Sequence, residues 1–191
     1  LFDDPGEPIG YYSDATVPQI NKQGGVSLID GQSESNSNVF FLGDEITGDW
    51  VNLPDDTLWN SGTESDPVKT IYDPCPEGWR VPTYAELNVL RANSSSWITD
   101  PDARSGYWFS GASTYKAEVP QIFFSAAGAR SSDIDFAGDR ASYGFYWSSR
   151  PYNAKAYSLV ICCDYTSMSY YDRALGASVR CVQDDSALIP V

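Results

Sequence analysis

The sequence predicts a single α+β domain of short strands, one or two helices and long structured loops. Three observations lead to that class. The stretch YDPCPEGWRVPTYAELNVL, residues 72–90, carries a turn, a short strand and the start of an amphipathic helix in succession. Elsewhere, brief runs of β-branched and aromatic residues recur between clusters of Gly, Ser, Asn and Asp, as strands recur between loops. The length, 191 residues, is nearest to one domain at about 150 residues per domain. A chain of this size buries roughly 70% of its unfolded surface and needs no unusual staple to fold.

Residues 1–25 are rich in Gly, Pro, Asp and Gln without periodicity and are expected to form a leading segment or linker, with one domain over 26–191. Val26-Ser27-Leu28-Ile29 and Val39-Phe40-Phe41-Leu42 read as strands on either side of a polar loop at 31–38. Residues 43–70, with Trp50, Trp59, several acids and turn residues, read as a long structured loop. Pro74 and Pro76 then hold Cys75 extended, because a residue preceding proline is pushed out of the helical region. Glu77-Gly78 makes a turn, and Trp79-Arg80-Val81 a brief strand with two large apolar side chains at alternate positions. Thr83 stands three residues before Glu86, the signature of a capping box. Leu87 and Leu90 at helical spacing turn the helix, at about 84–92, towards the core, and Asn93-Ser94-Ser95-Ser96 is expected to end it. Residues 97–143 alternate strand candidates at 107–109 and 121–124 with Gly, Ser and Asp loops. Three closing strands are expected near 144–149, 156–163 and 177–182.

Charge and composition exclude several functions. A net charge of −14 with no histidine argues against nucleic acid, whose phosphates are bound by clustered Lys and Arg, and against docking on an anionic membrane. No apolar run approaches the roughly 20 residues that span a bilayer, so direct membrane insertion is not expected. Leu1 opens without a basic and apolar leader, so a signal peptide or a lipid-anchored leading segment is expected to have been removed or to lie outside this sequence. Without histidine, Ser-His-Asp and Cys-His nucleophilic systems are absent, as is any imidazole zinc site. Cys162-Cys163 lack the Cys-x-x-Cys spacing of redox and zinc motifs, and on a strand their side chains point to opposite faces.

A glycosidase needs only two carboxylates roughly 5–10 Å apart, and Asp55, Asp56, Asp133 and Asp135 are the candidates. In so acidic a chain, solvated surface is the simpler expectation for them. Residues 133–144, DIDFAGDRASYG, imitate a calcium loop at the first, third and sixth positions, but Ala137 and Gly144 occupy the fifth and twelfth. They read as a surface turn, and no cofactor is expected.

Four cysteines permit three complete pairings, and two buried thiols are equally compatible with the residues alone. The string DPCPEGWRVPTYAEL, then GFYWSS at 144–149, Ala156-Tyr157, and GASVRCV at 176–182 stand in order along the chain. Asp49-Trp50, Asp55-Asp56-Thr57-Leu58-Trp59 and Lys69-Thr70-Ile71-Tyr72 precede them. Together these motifs, over residues 38–182, resemble the Fibrobacter succinogenes major paralogous domain of Bacteroidetes and Fibrobacter surface proteins. That resemblance implies a C-type-lectin-like fold of short antiparallel strands. It also implies a Cys75–Cys181 disulfide, and with it an oxidising, exported, cell-surface or extracellular location. A loop of that length stabilises by about 4–5 kcal/mol in the chain-entropy model. The lectin sugar-binding triplets Glu-Pro-Asn and Trp-Asn-Asp are missing, since Trp59-Asn60 continues with Ser61.

The stretch 150–173, RPYNAKAYSLVICCDYTSMSYYDR, bears most on function. Tyr157, Leu159 and Ile161 alternate as a core-facing strand face, which leaves Ser158, Val160 and Cys162 turned to solvent or ligand. The following segment reads as a loop dense in Tyr, Ser and Asp, a composition that suits binding because tyrosine gives broad contact at low entropy cost. A plain tyrosine-rich surface hairpin has the same composition. The order YWSS, AYxL and GxSVRCV is also similar to target proteins of diversity-generating retroelements, in which adenine-directed mutagenesis varies C-terminal codons. That similarity implies variable positions at Tyr152, Asn153, Ser158, Val160, Cys162, Cys163, Tyr165, Ser167, Ser169, Tyr170 and Tyr171, while Lys155 and Met168 depart from the codon pattern.

The expectation is thus a non-catalytic, adhesin-like domain presenting these residues, with Tyr143, Phe145 and Arg150, to a protein or glycan on another cell or in the host. A structural or tip subunit of a fimbria comes second. A carbohydrate-active enzyme using paired carboxylates comes third.

Overall fold

Thr83 shows how local sequence sets the architecture. Its hydroxyl accepts the Glu86 N–H at 3.2 Å, and the Glu86 carboxylate accepts the Thr83 N–H at 2.8 Å. This reciprocal cap starts α1 (Tyr84–Ala92) at the expected residue, and Asn93 closes it with Arg91 in the last turn. The computed structural model describes residues 19–20, 40–41, 43, 48–51, 53–98, 105–110, 121–130, 137–138, 141–163 and 165–185. The strand candidate at 26–29 and the carboxylates Asp133 and Asp135 lie outside the described residues, as does half of the calcium-like turn.

In chain order the strands are β1 (Gln19–Ile20), β2 (Phe40–Phe41), β3 (Trp79–Arg80), β4 (Ser94–Ile98), β5 (Gly106–Ser110), β6 (Gln121–Ser125), β7 (Ala129–Arg130), β8 (Ala137–Gly138), β9 (Tyr143–Tyr152), β10 (Lys155–Cys162), β11 (Thr166–Asp172) and β12 (Val182–Gln183). They form small sheets that are antiparallel except for the β1–β2 pair, and with one helix among the described residues the class is α+β. The largest sheets are β11-β10-β9 and β4-β5-β6. β1 falls within the segment expected to lead into the domain.

The core lies between α1, β5, β6 and one face of β9–β10. Leu87, Phe109, Phe124, Tyr146, Leu159 and Ile161 make up its buried cluster. Leu159 and Ile161 are fully buried, as their alternation predicts, and Leu90 packs beside them, whereas Tyr157, expected on the same core face, is only half-buried at the end of the sheet. Phe124 meets both Phe109 and Tyr146 edge-on, with ring centroids 5.1 and 4.6 Å apart. Tyr146 keeps a partner for its phenol by donating to the Ser125 carbonyl at 2.8 Å, and burial pushes its pKa up.

A polar knot surrounds the disulfide. Cys75 and Cys181 are bonded across 106 positions, which fastens the segment before β3 to the one before β12. The buried Asp73 carboxylate accepts the N–H groups of Cys75 (2.8 Å) and Val81 (2.9 Å) and the Lys69 ammonium (2.8 Å). Arg80, also buried, forms a two-pronged pair with Glu86 at 2.8 and 2.6 Å. Burial alone would raise the Glu86 pKa, but the hydrogen bonds from Arg80 and Thr83 outweigh it and hold the carboxyl below its usual range.

Four expectations need correction. Trp79 is exposed while Arg80 and Val81 turn inwards, because the two-residue strand directs the guanidinium to Glu86. Ser94–Ile98 is a strand paired with β5, so the serine run begins β4 where a helix end alone was expected. The segment expected as a tyrosine-rich loop is β11, paired residue by residue with β10 from Lys155–Asp172 to Ile161–Thr166. Residues 177–182 make only an isolated bridge, Tyr146–Ser178, before β12 begins at Val182.

Candidate ligand-binding face

The candidate face is built from the β9–β10 hairpin outwards. Tyr152 pairs with Lys155 across Asn153-Ala154, and Asn153 takes a φ of 51°, a left-handed value that asparagine tolerates better than most residues. Arg173 fastens this hairpin from beyond β11, donating to the carbonyls of Asn153 (2.7 Å) and Lys155 (3.2 Å). Its guanidinium also pairs with Asp56 and lies 3.5 Å from the Asp49 carboxylate.

On the face shared with the core, alternation carries Tyr152, Tyr157 and Tyr170 to one end of the sheet. Tyr152 stacks at 4.4 Å on Tyr170 and 5.2 Å from Tyr157, and Tyr157 meets Tyr170 at 5.9 Å. Tyr84, the first residue of α1, closes against Tyr157 at 4.8 Å. The Arg150 guanidinium sits over both Tyr84 (5.1 Å) and Tyr157 (5.6 Å). Tyr152, Tyr170 and Arg150 are exposed, whereas Tyr84 and Tyr157 are half-buried. The result is a ring-on-ring platform with a cation at its border. Tyr84 was not expected here, since nothing in the sequence joins a helix start to a hairpin over 60 positions away.

The remaining expected binding residues divide by burial. Asn153 and Tyr165 are exposed, while Tyr143, Ser167, Ser169 and Tyr171 are half-buried. Ser158, Val160, Cys162 and Phe145 are buried, which corrects the expectation that they turn to solvent or ligand. β10 is the middle strand of its sheet and is covered on both faces, so its second face is a second interior. There Phe145 lies between Tyr143, stacked at 6.1 Å, and Tyr171, edge-on at 5.3 Å. Cys162 is buried and Cys163 exposed, so consecutive side chains do turn opposite ways.

That second face also holds a cavity of about 70 Å³. Trp147, Pro151 and Ala156 of the sheet line it together with Asp49, Trp50, Asp55, Asp56 and Trp59 of the 43–70 loop, and with Arg173. Burial raises the Asp49 pKa despite its bond from the Val51 N–H at 3.2 Å and the nearby Arg173. Asp55 is held below its usual range by the Thr57 hydroxyl and N–H, at 2.7 and 2.8 Å. Asp55 and Asp56 are both exposed, as expected of solvated acids. No family model, no curated protein and no solved structure matches the chain.

Proposed function

We propose that this chain is a non-catalytic, exported, adhesin-like domain of C-type-lectin-like fold that binds a protein or glycan through its tyrosine platform. The observation that carries this is the cluster of Tyr84, Tyr152, Tyr157 and Tyr170 around Arg150, held on a hairpin tied by Arg173 and left partly exposed. Rigid aromatic rings give contact area at low entropy cost, and they suit both sugar faces and apolar side chains. An arginine beside them adds directional donors. The Cys75–Cys181 bond supports an oxidising destination. No helix among the described residues is long and apolar enough to cross a membrane.

The test is a screen of the protein against a printed glycan array, purified mucin and intact epithelial cells. Tyr152→Ala and Tyr170→Ala should each weaken any captured ligand by about tenfold or more, in keeping with aromatic hot spots. A ligand held equally well by the double variant would place recognition elsewhere. A second reading, a fimbrial structural or tip subunit, is favoured by β11, which among the described residues pairs only with β10 and so offers a strand edge to a neighbour. Concentration-dependent polymers seen by light scattering, lost on a Ser169→Pro change in β11, would favour it.

A further inference from the structure

We infer that the tryptophan-lined cavity behind the sheet is a binding site for an organic ammonium group, separate from the tyrosine platform. Three tryptophans from distant positions line it: Trp50 and Trp59 from the long loop, and Trp147 from β9. The register sets this cavity on the far side of the sheet from Tyr152 and Tyr157, because Trp147, Pro151 and Ala156 alternate against them. At about 70 Å³ it has room for one small group rather than a run of sugar rings.

The charge of the lining selects the sign of that group. Asp49, Asp55 and Asp56 face a single cation, Arg173. Arg173 has its donors committed to Asp56, Asn153 and Lys155, with Asp49 alongside, and so is poorly placed to receive an anion. Among the described residues no salt bridge engages Asp55, whose carboxylate is oriented at the cavity border by Thr57. Indole is the aromatic ring that attracts a desolvated cation most strongly, and quaternary ammonium groups are recognised in this way. The net charge of −14 concentrates cations around the molecule as a whole. The ammonium could belong to a free small molecule or to a lysine side chain of a protein.

Tryptophan fluorescence titrations at fixed ionic strength test this with four probes: choline, its uncharged isostere 3,3-dimethylbutan-1-ol, N-acetyl-lysine amide and methyl glucoside. Choline or the lysine amide should quench saturably, with the uncharged isostere at least tenfold weaker, and the tighter of the two cations identifies the source. Asp55→Asn, which keeps the Thr57 turn, and Trp59→Ala should each weaken the cation by about tenfold. Tyr152→Ala should leave it unchanged, which separates this site from the platform. Equal binding of choline and its isostere would reduce the site to an apolar cleft and overturn the inference. Saturation by methyl glucoside alone, or by none of the four, would overturn it as well.

Discussion

Around Cys75 and Cys181 the buried Asp73 and Arg80 each hold a partly exposed partner of opposite charge, Lys69 and Glu86, whereas at the β9–β10 hairpin the aromatic rings partner one another and stay partly open to solvent. Asp73 accepts three donors, and Arg80 closes on Glu86. Tyr152 and Tyr170 touch Tyr157 and each other, yet remain 39% and 47% exposed. The difference separates what folds the domain from what the domain displays. Polar groups withdrawn from water are costly to leave unpaired, so the knot around the disulfide is where substitutions should unfold the protein. Exposed rings gain little from the fold, so these are left open to contact with something else.

The largest effect should come from the disulfide. Replacing both cysteines, Cys75→Ser with Cys181→Ser, frees a closure of 106 positions and should lower unfolding free energy by about 4–5 kcal/mol in urea titrations. Next, Asp73→Ala strands two backbone N–H groups and the Lys69 ammonium, with an expected loss of about 3 kcal/mol by the same measurement. Glu86→Gln should cost less, about 1 kcal/mol at neutral pH, because Glu86 is partly exposed and solvent screens the pair. Its pH dependence has a definite sign. The folded pKa of Glu86 lies below the ordinary 4.5, so its stabilisation is full above that value and is lost as pH falls through the lowered one. Wild type and Glu86→Gln should therefore differ at pH 7 and converge in acid; a gap that widened in acid would contradict the pairing. Smallest is the platform: Tyr152→Ala or Tyr170→Ala should change stability by about 1 kcal/mol or less, because each loses two ring contacts that are only partly withdrawn from water.

The same contrast explains what the sequence could reveal. The capped helix was legible to the residue because Thr83 and Glu86 interact only with their own neighbourhood. Leu159 and Ile161 were legible because a strand repeats every two residues. The alternation could not tell that the opposite face, Ser158, Val160 and Cys162, is covered too, since that depends on strand order in the sheet. β11 was read as a loop because Thr166–Asp172 has no apolar stripe, and only its ladder with β10 makes it a strand. The Cys75–Cys181 bond came from the family resemblance, since four cysteines alone leave three pairings open. Tyr84 and Arg173 complete the platform and its hairpin from positions no local pattern connects to Tyr152. Tertiary proximity, rather than composition, assembles the candidate face.

Scaffold and display are separated most directly by a paired measurement on the Tyr152→Ala/Tyr170→Ala double variant: its urea midpoint, and its retention on the glycan, mucin or cell target that wild type binds. We expect a midpoint close to wild type together with loss of most retained protein. Full retention, or a collapse of the midpoint comparable to that of the cysteine variant, would contradict the division.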